Sequence, residues 1–353
     1  MTQYAVVMAG GAGTRLWPAA RQESPKQLQN LIFDQPLIAE TVQRLERKYA
    51  RDRILIVTAK RYADPIREVL PDLPEENIIS EPVGRNTAAA IALAAFRIAR
   101  EDRDGVFAVF PADHVILKPE ALYGALDFAH ELARRHRVVD IGVPPSHPET
   151  GYGYIELGEA TESHDGLTSY RVERFVEKPD AERAREYVDA GNYIWNSGMF
   201  VWRAGEYLDA LHAHLPDTFE RLQPAFESGD WQRLEDAYAG IEDISVDYAI
   251  MEKVSDVVAL PVDFGWRDVG DWAALYDMMD HDGDGNAFPG PHVSIDTEGS
   301  LLIARDKLVA TVGVRDLIVV DTRDVLLVIS RDRAQDVKKL LDQLKERGET
   351  DRL

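Results

Sequence analysis

The stretch that decides the fold runs from Gln3 to Lys26 and reads QYAVVMAGGAGTRLWPAARQESPK. Its first six residues, Gln3 to Met8, form a largely apolar run that is followed closely by Gly10 and Gly11. A buried parallel strand has this composition, and such a strand often leads into a glycine-rich turn. We therefore expect a strand followed by a ligand-binding loop at the carboxyl edge of an α/β sheet.

Strand-like and helical patterns alternate through the first part of the chain. After the run Gln3 to Met8, apolar runs stand at 54–58, 106–110 and 138–143, and each is preceded by a helical pattern, at 37–49, 87–98 and 120–135. This alternation predicts an α/β fold, with a Rossmann-like, mostly parallel mixed sheet and helices on both faces. Between residues 151 and 202, β-like segments with little helix predict a partly antiparallel insertion.

The C-terminal part of the chain has a different pattern. Residues 281–291 are rich in Gly, Pro and acidic side chains and form the best linker candidate. Short β-branched runs follow without a repeat of solenoid length, and a last helical pattern ends at Gly348. We predict a catalytic domain at 1–283 and a small C-terminal β domain with a closing helix at 284–353. Because its strand edges need covering, this domain is a possible dimerisation element, and we expect a homodimer.

Composition excludes several classes of protein. The chain has 353 residues, with 62 acidic and 40 basic side chains, a formal charge of −22 and no cysteine. The negative charge argues against nucleic acid and anionic membranes as partners, because both bind broad positive surfaces. The lack of cysteine excludes disulfides, thiolate catalysis and cysteine-ligated metal centres. Without a membrane-length apolar run or a signal-peptide pattern, we expect a cytoplasmic protein.

The glycine loop lacks the two commonest phosphate-binding signatures. It has no Gly-Lys-Ser/Thr sequence, and Leu16 stands where the dinucleotide fingerprint requires a third glycine. The loop still offers backbone N–H groups, and Arg15, Arg21 and Lys26 make it locally positive. A plain strand-to-helix turn would also account for the glycines. The prolines that interrupt the next helix lengthen the loop, which favours a site for an anionic ligand.

Eight motifs, in order along the chain, resemble those of the sugar-1-phosphate nucleotidylyltransferases. They are GGAGTRLWP…SPK at 10–26, EPVGRNT at 81–87, FPADH at 110–114, GYGYI at 151–155, FVEKP at 175–179, NSGMF at 196–200, VDYAIME at 246–252 and WRDVGDW at 266–272. The later motifs are similar to those of the mannose-1-phosphate guanylyltransferase family. This resemblance implies Mg²⁺-assisted in-line attack of mannose 1-phosphate on the α-phosphate of GTP, giving GDP-mannose and pyrophosphate.

The resemblance also implies a role for individual residues of these motifs. The implied nucleotide contacts are Ala9, Gly10, Gly11, Gly13, Thr14, Arg15, Lys26, Gly84, Arg85, Asn86, Thr87 and Asp113. The implied sugar-phosphate contacts are Gly153, Glu177, Lys178, Asn196 and Asp247. The implied metal ligands are Asp113 and Asp268, which join Arg15 and Lys26 as the catalytic set. Such a set suits phosphoryl transfer, which relies on positioning and charge neutralisation, and Mg²⁺ prefers one or two carboxylates plus substrate phosphates.

Local chemistry offers a plainer alternative for several of these residues. An aspartate after a strand often caps a helix or a turn, and Asp271 in particular could cap the helix that follows it. Glu177 and Lys178 could form an ordinary surface ion pair. Asp247 could be a first-turn carboxylate that the helix dipole favours, and a lone His114 is more typical of a structural residue.

The wider function has alternatives as well. Guanine preference rests on the resemblance, since the sequence does not show which atoms would select the base. Asn86 or Thr87 could cap the alanine-rich helix. A related enzyme with another sugar or base belongs to the same class, and a non-catalytic sugar-nucleotide sensor would use the same scaffold. Lys26, Asp113 and Asp268 are all present, which favours the enzyme over the sensor.

Overall fold

The structure is a computed structural model that describes residues 1–304 and 307–353. The strands are β1 (Gln3–Met8), β2 (Ile54–Ala59), β3 (Ile78–Glu81), β4 (Val106–Pro111), β5 (His114–Ile116), β6 (Val138–Gly142), β7 (Tyr154–His164), β8 (Leu167–Val176), β9 (Tyr193–Trp195), β10 (Phe200–Arg203), β11 (Val257–Pro261), β12 (Trp266–Asp268), β13 (His292–Ile295), β14 (Leu301–Ile303), β15 (Val309–Val312), β16 (Leu317–Asp321) and β17 (Leu326–Ser330). The α-helices are α1 (Leu37–Leu45), α2 (Lys60–Val69), α3 (Asn86–Ala99), α4 (Pro119–Leu132), α5 (Ala181–Ala190), α6 (Ala204–His214), α7 (Pro216–Ser228), α8 (Trp231–Ala239), α9 (Trp272–Tyr276) and α10 (Val337–Glu346). Within the described residues, none of these helices combines the length and the apolar composition needed to cross a bilayer.

Two compact units make up the chain. Unit 1 comprises residues 1–10, 41–112 and 116–266, and unit 2 comprises residues 11–40, 113–115 and 267–353. Most of the glycine loop therefore belongs to the same unit as the C-terminal strands. The boundary between residues 283 and 284 stays a prediction.

Unit 1 is built on one ten-stranded mixed sheet in the order β3-β2-β1-β4-β10-β6-β11-β8-β7-β9. Strands β3, β2, β1 and β4 run parallel, as do β6 and β11. Strand β10 lies antiparallel between β4 and β6, and the β7–β8 hairpin with β9 forms an antiparallel edge. The predicted α/β class and mixed sheet are confirmed, but the expectation of a mostly parallel sheet is wrong, because five of the nine neighbouring strand pairs in this sheet are antiparallel.

The apolar runs of the sequence form the core of unit 1. Every residue of β2 is buried, and β4 is buried except at its last residue. The alanine-rich face of α3 packs into the same core as Phe107, Trp202 and Tyr207. Each fully buried large apolar side chain contributes roughly 1.5–3 kcal/mol, so many such side chains together stabilise this unit.

Unit 2 has a separate core that includes the chain after β1. Leu16 and Trp17 pack in one buried cluster with Trp272 and Ile318. The indole Nε1 of Trp272 donates to Trp17 O at 2.9 Å, and Trp17 Nε1 donates to Arg352 O at 2.6 Å. The long loop is thus held by side chains from the C-terminal part of the chain.

The C-terminal strands form parallel coils. Strand β13 pairs in parallel with β15, with His292 opposite Val309, and β14 pairs in parallel with β16, with Leu301 opposite Ile318. Both pairings join residues that are 17 positions apart, so one coil brings the chain back to lie beside the strand of the previous coil, as in a short β-helix. The predicted small β domain with a closing helix is confirmed. The sequence patterns do not reveal the coil repeat itself.

Candidate functional site

In unit 2, the Lys26 ammonium lies between the two aspartates predicted to bind a metal. Its Nζ is 2.8 Å from Asp113 Oδ2 and 3.3 Å from Asp268 Oδ1. The Lys26 side chain is 4% exposed, whereas the side chains of Asp113 and Asp268 are 32% and 27% exposed. A buried ammonium is stable only when paired, so the two carboxylates account for the burial of this lysine.

The charges of this group stabilise one another. Burial lowers the pKa of Lys26, but the Asp113 and Asp268 carboxylates outweigh burial and raise that pKa above its usual value. Burial raises the pKa of Asp113, but the Lys26 ammonium and the neighbouring His114 bring that pKa below its usual range. The Lys26–Asp113 pair therefore stays ionised at neutral pH.

The glycine loop packs against the stem of Lys26. Gly13 has a φ of 65°, and a Cβ at this position would collide with the Cβ of Lys26. No other residue fits there, because both the backbone conformation and the space require glycine. The backbone N–H of Lys26 donates to Ala12 O at 3.3 Å, which closes the loop. The loop therefore fixes where the ammonium points.

Arg15 lies near the carboxylate of Asp268, one of the two partners of Lys26. A Cβ at Gly270 would be 3.7 Å from both Arg15 Nη2 and Asp268 Oδ2, so these two groups border one small space. Asp271, by contrast, caps α9, because its Oδ1 accepts from the N–H groups of Ala273 and the next residue at 2.9 Å. The alternative role considered for Asp271 is thus confirmed.

The donor set around Lys26 fits Mg²⁺ in one respect. No cluster of three or more His, Cys, Asp or Glu side chains suited to a metal occurs among residues 1–304 and 307–353. Two carboxylates that converge on one cation are nevertheless the usual protein share of a Mg²⁺ site, since phosphates and water supply the other ligands. Asp113 and Asp268 meet this description.

In unit 1, four of the five predicted sugar-phosphate residues converge around Gly153. A Cβ at Gly153 would lie 2.6 Å from Glu177 Oε2 and 3.4 Å from Asn196 Cβ. The Asn196 N–H donates to Gly153 O at 2.9 Å, and Asn196 Nδ2 donates to Asp247 Oδ1 at 2.8 Å. These four residues therefore form one group, which we call the Asn196 group.

Lys178 lies at the surface beside Glu177. Lys178 has a φ of 46°, and this left-handed turn after β8 brings the two adjacent side chains into an ion pair. The Lys178 side chain is 62% exposed and that of Glu177 is 16% exposed, so the ammonium reaches solvent while the carboxylate is largely covered. The exposed ammonium can therefore take a ligand phosphate as a further partner.

A buried acid near the Asn196 group was missed by the sequence reasoning. Asp140 lies in β6, and within the described residues neither of its carboxyl oxygens has a hydrogen-bond partner. Burial and the charge of Asp247 raise the pKa of Asp140 well above its usual value. Burial also raises the pKa of Asp247. An aspartate inside the apolar run VVDIGV was the available signal.

The segment predicted to border the nucleotide is hydrogen-bonded within unit 1. Arg85 Nε donates to Tyr238 O at 3.0 Å, so this guanidinium binds the end of α8. Asn86 has a φ of 63°, and its Oδ1 accepts from Thr87 N at 3.0 Å. Thr87 Oγ1 accepts from Val246 N at 2.8 Å. The expectation that Asn86 or Thr87 caps α3 is wrong, since the N-cap residue is Arg85 and no side chain makes a capping bond there.

Glu81 stands in the quoted EPVGRNT motif but was given no role. Its side chain is buried, and a Cβ at Gly10 would lie 3.5 Å from Glu81 Oε2. Burial raises the pKa of Glu81 to about 7, although the Tyr238 hydroxyl donates to Glu81 Oε1 at 3.5 Å and acts in the opposite direction. Glu81 therefore joins Asp140 and Asp247 as an acid of unit 1 whose charged form is destabilised by burial.

Comparison with known proteins places the chain in a family. Residues 4–285 match the nucleotidyl transferase model, and residues 290–344 match the mannose-phosphate isomerase/GMP-like beta-helix domain. A mannose-1-phosphate guanylyltransferase of Escherichia coli K12 is 41% identical over 98% of this chain and 74% of its own length. The alginate biosynthesis protein AlgA of Pseudomonas aeruginosa is 39% identical over 98% of this chain and 73% of its own length.

A solved structure has the same fold over nearly the whole chain. It is described as a mannose-1-phosphate geranyltransferase from Thermus thermophilus, and it is 36% identical to this chain with a TM-score of 0.87. The match covers 98% of this chain and 100% of that one. From the mixed sheet, the ordered motifs and these matches together, the chain belongs to the nucleotidyl transferase family.

Proposed function

We propose that this protein is a mannose-1-phosphate guanylyltransferase, an enzyme that makes GDP-mannose and pyrophosphate from mannose 1-phosphate and GTP. The observation that carries the proposal is the ammonium of Lys26 held between Asp113 and Asp268, in a chain that is 41% identical to a relative with that name. Both substrates are polyanions. A site for them in a chain of charge −22 needs fixed cations and a metal to neutralise the phosphates.

We assign the triphosphate to the group around Lys26. Backbone N–H groups of Gly11, Gly13 and Thr14 can cradle phosphate oxygens, and the Arg15 guanidinium adds a charged donor. When the triphosphate binds, its oxygens offer the Lys26 ammonium new partners in place of the carboxylates.

Asp113 and Asp268 would then hold Mg²⁺, which supplies charge neutralisation on the phosphates when it is bound. An oxygen of the sugar phosphate forms the new bond to the α-phosphorus, and the bond to the departing pyrophosphate breaks. Lys26 and Arg15 hold the phosphates in line for this exchange and stabilise the charge that develops on them.

We assign the sugar phosphate to the Asn196 group and Lys178. The Asn196 amide offers both a donor and an acceptor to neighbouring hydroxyls, while the Glu177 and Asp247 carboxylates accept from hydroxyls. Gly153 leaves the space in which a ring can approach the backbone. The exposed Lys178 ammonium is the candidate partner for the phosphate.

Pyrophosphate release across a panel of nucleotides and sugar 1-phosphates tests this function. We expect the highest rate with GTP and mannose 1-phosphate, and no rate after Mg²⁺ is removed with a chelator. A higher rate with another pair would identify a related enzyme of the same class. No release with any pair would favour a sugar-nucleotide sensor.

We also propose that the protein is a cytoplasmic homodimer whose contact involves the C-terminal coils. Ile295 and Val312 lie opposite each other in β13 and β15, and they are 58% and 69% exposed. Such apolar side chains on a strand pair favour burial against a second copy.

Sedimentation velocity should show a dimer for the chain and a monomer for the double variant Ile295→Lys/Val312→Lys. Leu117→Lys, at an exposed apolar residue of unit 1, is the matched control and should stay dimeric. A monomeric parent chain would contradict this proposal.

A further inference from the structure

Hydrogen bonds join the start of α3 to the segment that carries Asp247. The N–H of Val246 donates to Thr87 Oγ1 at 2.8 Å, and the N–H of Ala88 donates to Ile244 O at 3.4 Å. These bonds connect parts of the chain about 160 residues apart in sequence, and all of them lie within unit 1. The segment predicted to border the nucleotide thus supports the backbone next to Asp247, a member of the Asn196 group.

The bond to Thr87 matters because Val246 is buried. Val246 is 2% exposed, and a buried backbone N–H without an acceptor is strongly unfavourable. Asp247, the next residue, begins a short π-helical turn that extends to Met251, and the Ser245 hydroxyl accepts from the N–H of Tyr248 in that turn at 3.5 Å. The Thr87 hydroxyl is the acceptor for the N–H of Val246, so together with this longer bond it fixes the backbone directly before Asp247.

Asp247 in turn is part of the Asn196 group. Its Oδ1 accepts from Asn196 Nδ2 at 2.8 Å, and the Asn196 N–H donates to Gly153 O at 2.9 Å. A small rotation of the backbone at Val246 would move the Asp247 carboxylate away from the amide. A continuous chain of contacts thus runs from the Thr87 hydroxyl to the residues assigned to the sugar.

We propose that Thr87 is a positioning residue for the sugar-phosphate site: its hydroxyl fixes Val246 and thereby holds the Asp247 carboxylate against Asn196. This inference rests on the proposed function, and it gives Thr87 a role other than the direct nucleotide contact predicted from the sequence. Thr87 acts through the protein backbone and does not touch the sugar. Its loss should weaken binding of the sugar phosphate and leave binding of the nucleotide largely intact.

Steady-state kinetics of three variants test the proposal. Thr87→Val keeps the shape of the side chain and removes the acceptor, whereas Thr87→Ser keeps the hydroxyl. Thr161→Val is the matched control, because it removes one hydroxyl that bonds to Ser169 Oγ at 2.7 Å in the β7–β8 hairpin. Circular dichroism melts of each variant check that it is folded.

We expect Thr87→Val to raise the KM for mannose 1-phosphate about tenfold, because a buried N–H loses its acceptor, and to change the KM for GTP less than about twofold. Thr87→Ser should restore the parent KM, and Thr161→Val should not alter either KM. If Thr87→Val does not fold, Thr87→Ala takes its place in the test, because it removes the same acceptor and has the same expected result.

Three outcomes would overturn the proposal. An equal rise in the KM for GTP would return Thr87 to the nucleotide site, unchanged KM values would deny it a role, and failure of Thr87→Ser to rescue would show that the hydroxyl is not what matters. Each requires an active parent chain. A parent chain that is inactive with every substrate pair would instead contradict the proposed function itself.

Discussion

Two groups of side chains handle charge in opposite ways. One is the Lys26 group of unit 2, which consists of Lys26, Asp113 and Asp268, and the other is the Asn196 group of unit 1. Lys26 is buried between two carboxylates, and the attraction keeps both it and Asp113 ionised. Asp247 is held by a neutral amide, and burial raises its pKa. In the first group, a bound phosphate can replace the carboxylates as the partner of Lys26, and a metal ion can replace Lys26 as the partner of the carboxylates. The second offers an amide and carboxylate oxygens, which accept from hydroxyl groups.

The strongest way to break this comparison is to remove the carboxylates of the first group. Asp113→Asn and Asp268→Asn keep the shape of each side chain but remove the negative charge that a divalent cation requires. We expect each to abolish Mg²⁺-dependent pyrophosphate release and to leave the far-UV circular dichroism unchanged. Near-normal rates in both variants would refute the metal assignment.

Removing the cation of the same group should have the next largest effect. Lys26→Ala deletes a charge-assisted contact to phosphate, and we expect turnover to fall by about 1,000-fold. Lys118→Ala is the matched control, because its ammonium makes an exposed ion pair with Asp263 in unit 1. The same rate assay on both variants measures the difference. Equal rates for them would show that Lys26 has no special role.

The buried acids of unit 1 can be tested through stability. The pKa of Glu81 is raised to about 7 in the folded chain from an ordinary 4.5, so the folded state binds the proton more tightly than the unfolded state. Below pH 4.5 Glu81 is protonated in both the folded and the unfolded state, so its raised pKa does not change the free energy of unfolding. As pH rises from 4.5 to 7 the unfolded state gains by ionising, and above pH 7 the loss of stability levels off at about 3 kcal/mol.

Glu81→Gln removes this penalty while its amide oxygen can still accept from Tyr238. We therefore expect the variant to be more stable than the parent chain by up to about 3 kcal/mol at pH 8 and by much less at pH 5. Urea unfolding at the two pH values measures the difference. An equal gain at both would mean that ionisation of Glu81 is not the cause.

The smallest of these effects sharpens the comparison within the Asn196 group. Asp247→Asn replaces a carboxylate acceptor by an amide that has one donor end, and we expect the KM for mannose 1-phosphate to rise about tenfold. The KM for GTP should stay near its parent value. Substrate-dependence curves for both substrates provide the test, and a rise in the KM for GTP alone would move Asp247 to the nucleotide site.

The sequence predicts the α/β part well because its strands are continuous apolar runs with helical patterns between them. The C-terminal coils were not predicted as coils, since two turns give only one repetition. No paired position of the described coil strands carries the same residue in both coils, as His292 and Val309 illustrate, so sequence identity does not reveal the offset. A β-branched strand looks the same whether its partner is parallel or antiparallel.

The candidate site divides in the same way. The motifs contain Lys26, Asp113 and Asp268, and the structure brings these three side chains together. The contacts of Arg85 and Thr87 could not be predicted, because they depend on which distant segment packs against α3. Asp140 illustrates a further difficulty, since the run VVDIGV indicates that this aspartate is buried but not that its carboxyl oxygens have no hydrogen-bond partner among the described residues.

The packing of Leu16 and Trp17 has a practical consequence for anyone who seeks a minimal active fragment. A fragment that ends at residue 283 would contain every motif residue. It would nevertheless lack Ile318, which shares a buried cluster with both side chains, and the Arg352 carbonyl that accepts from the Trp17 indole. Such a fragment would leave the glycine loop without these two supports and with only the contacts of residues before 284, such as the bond from Trp272. The shortest useful length of this protein is therefore set by packing and extends well beyond its last motif.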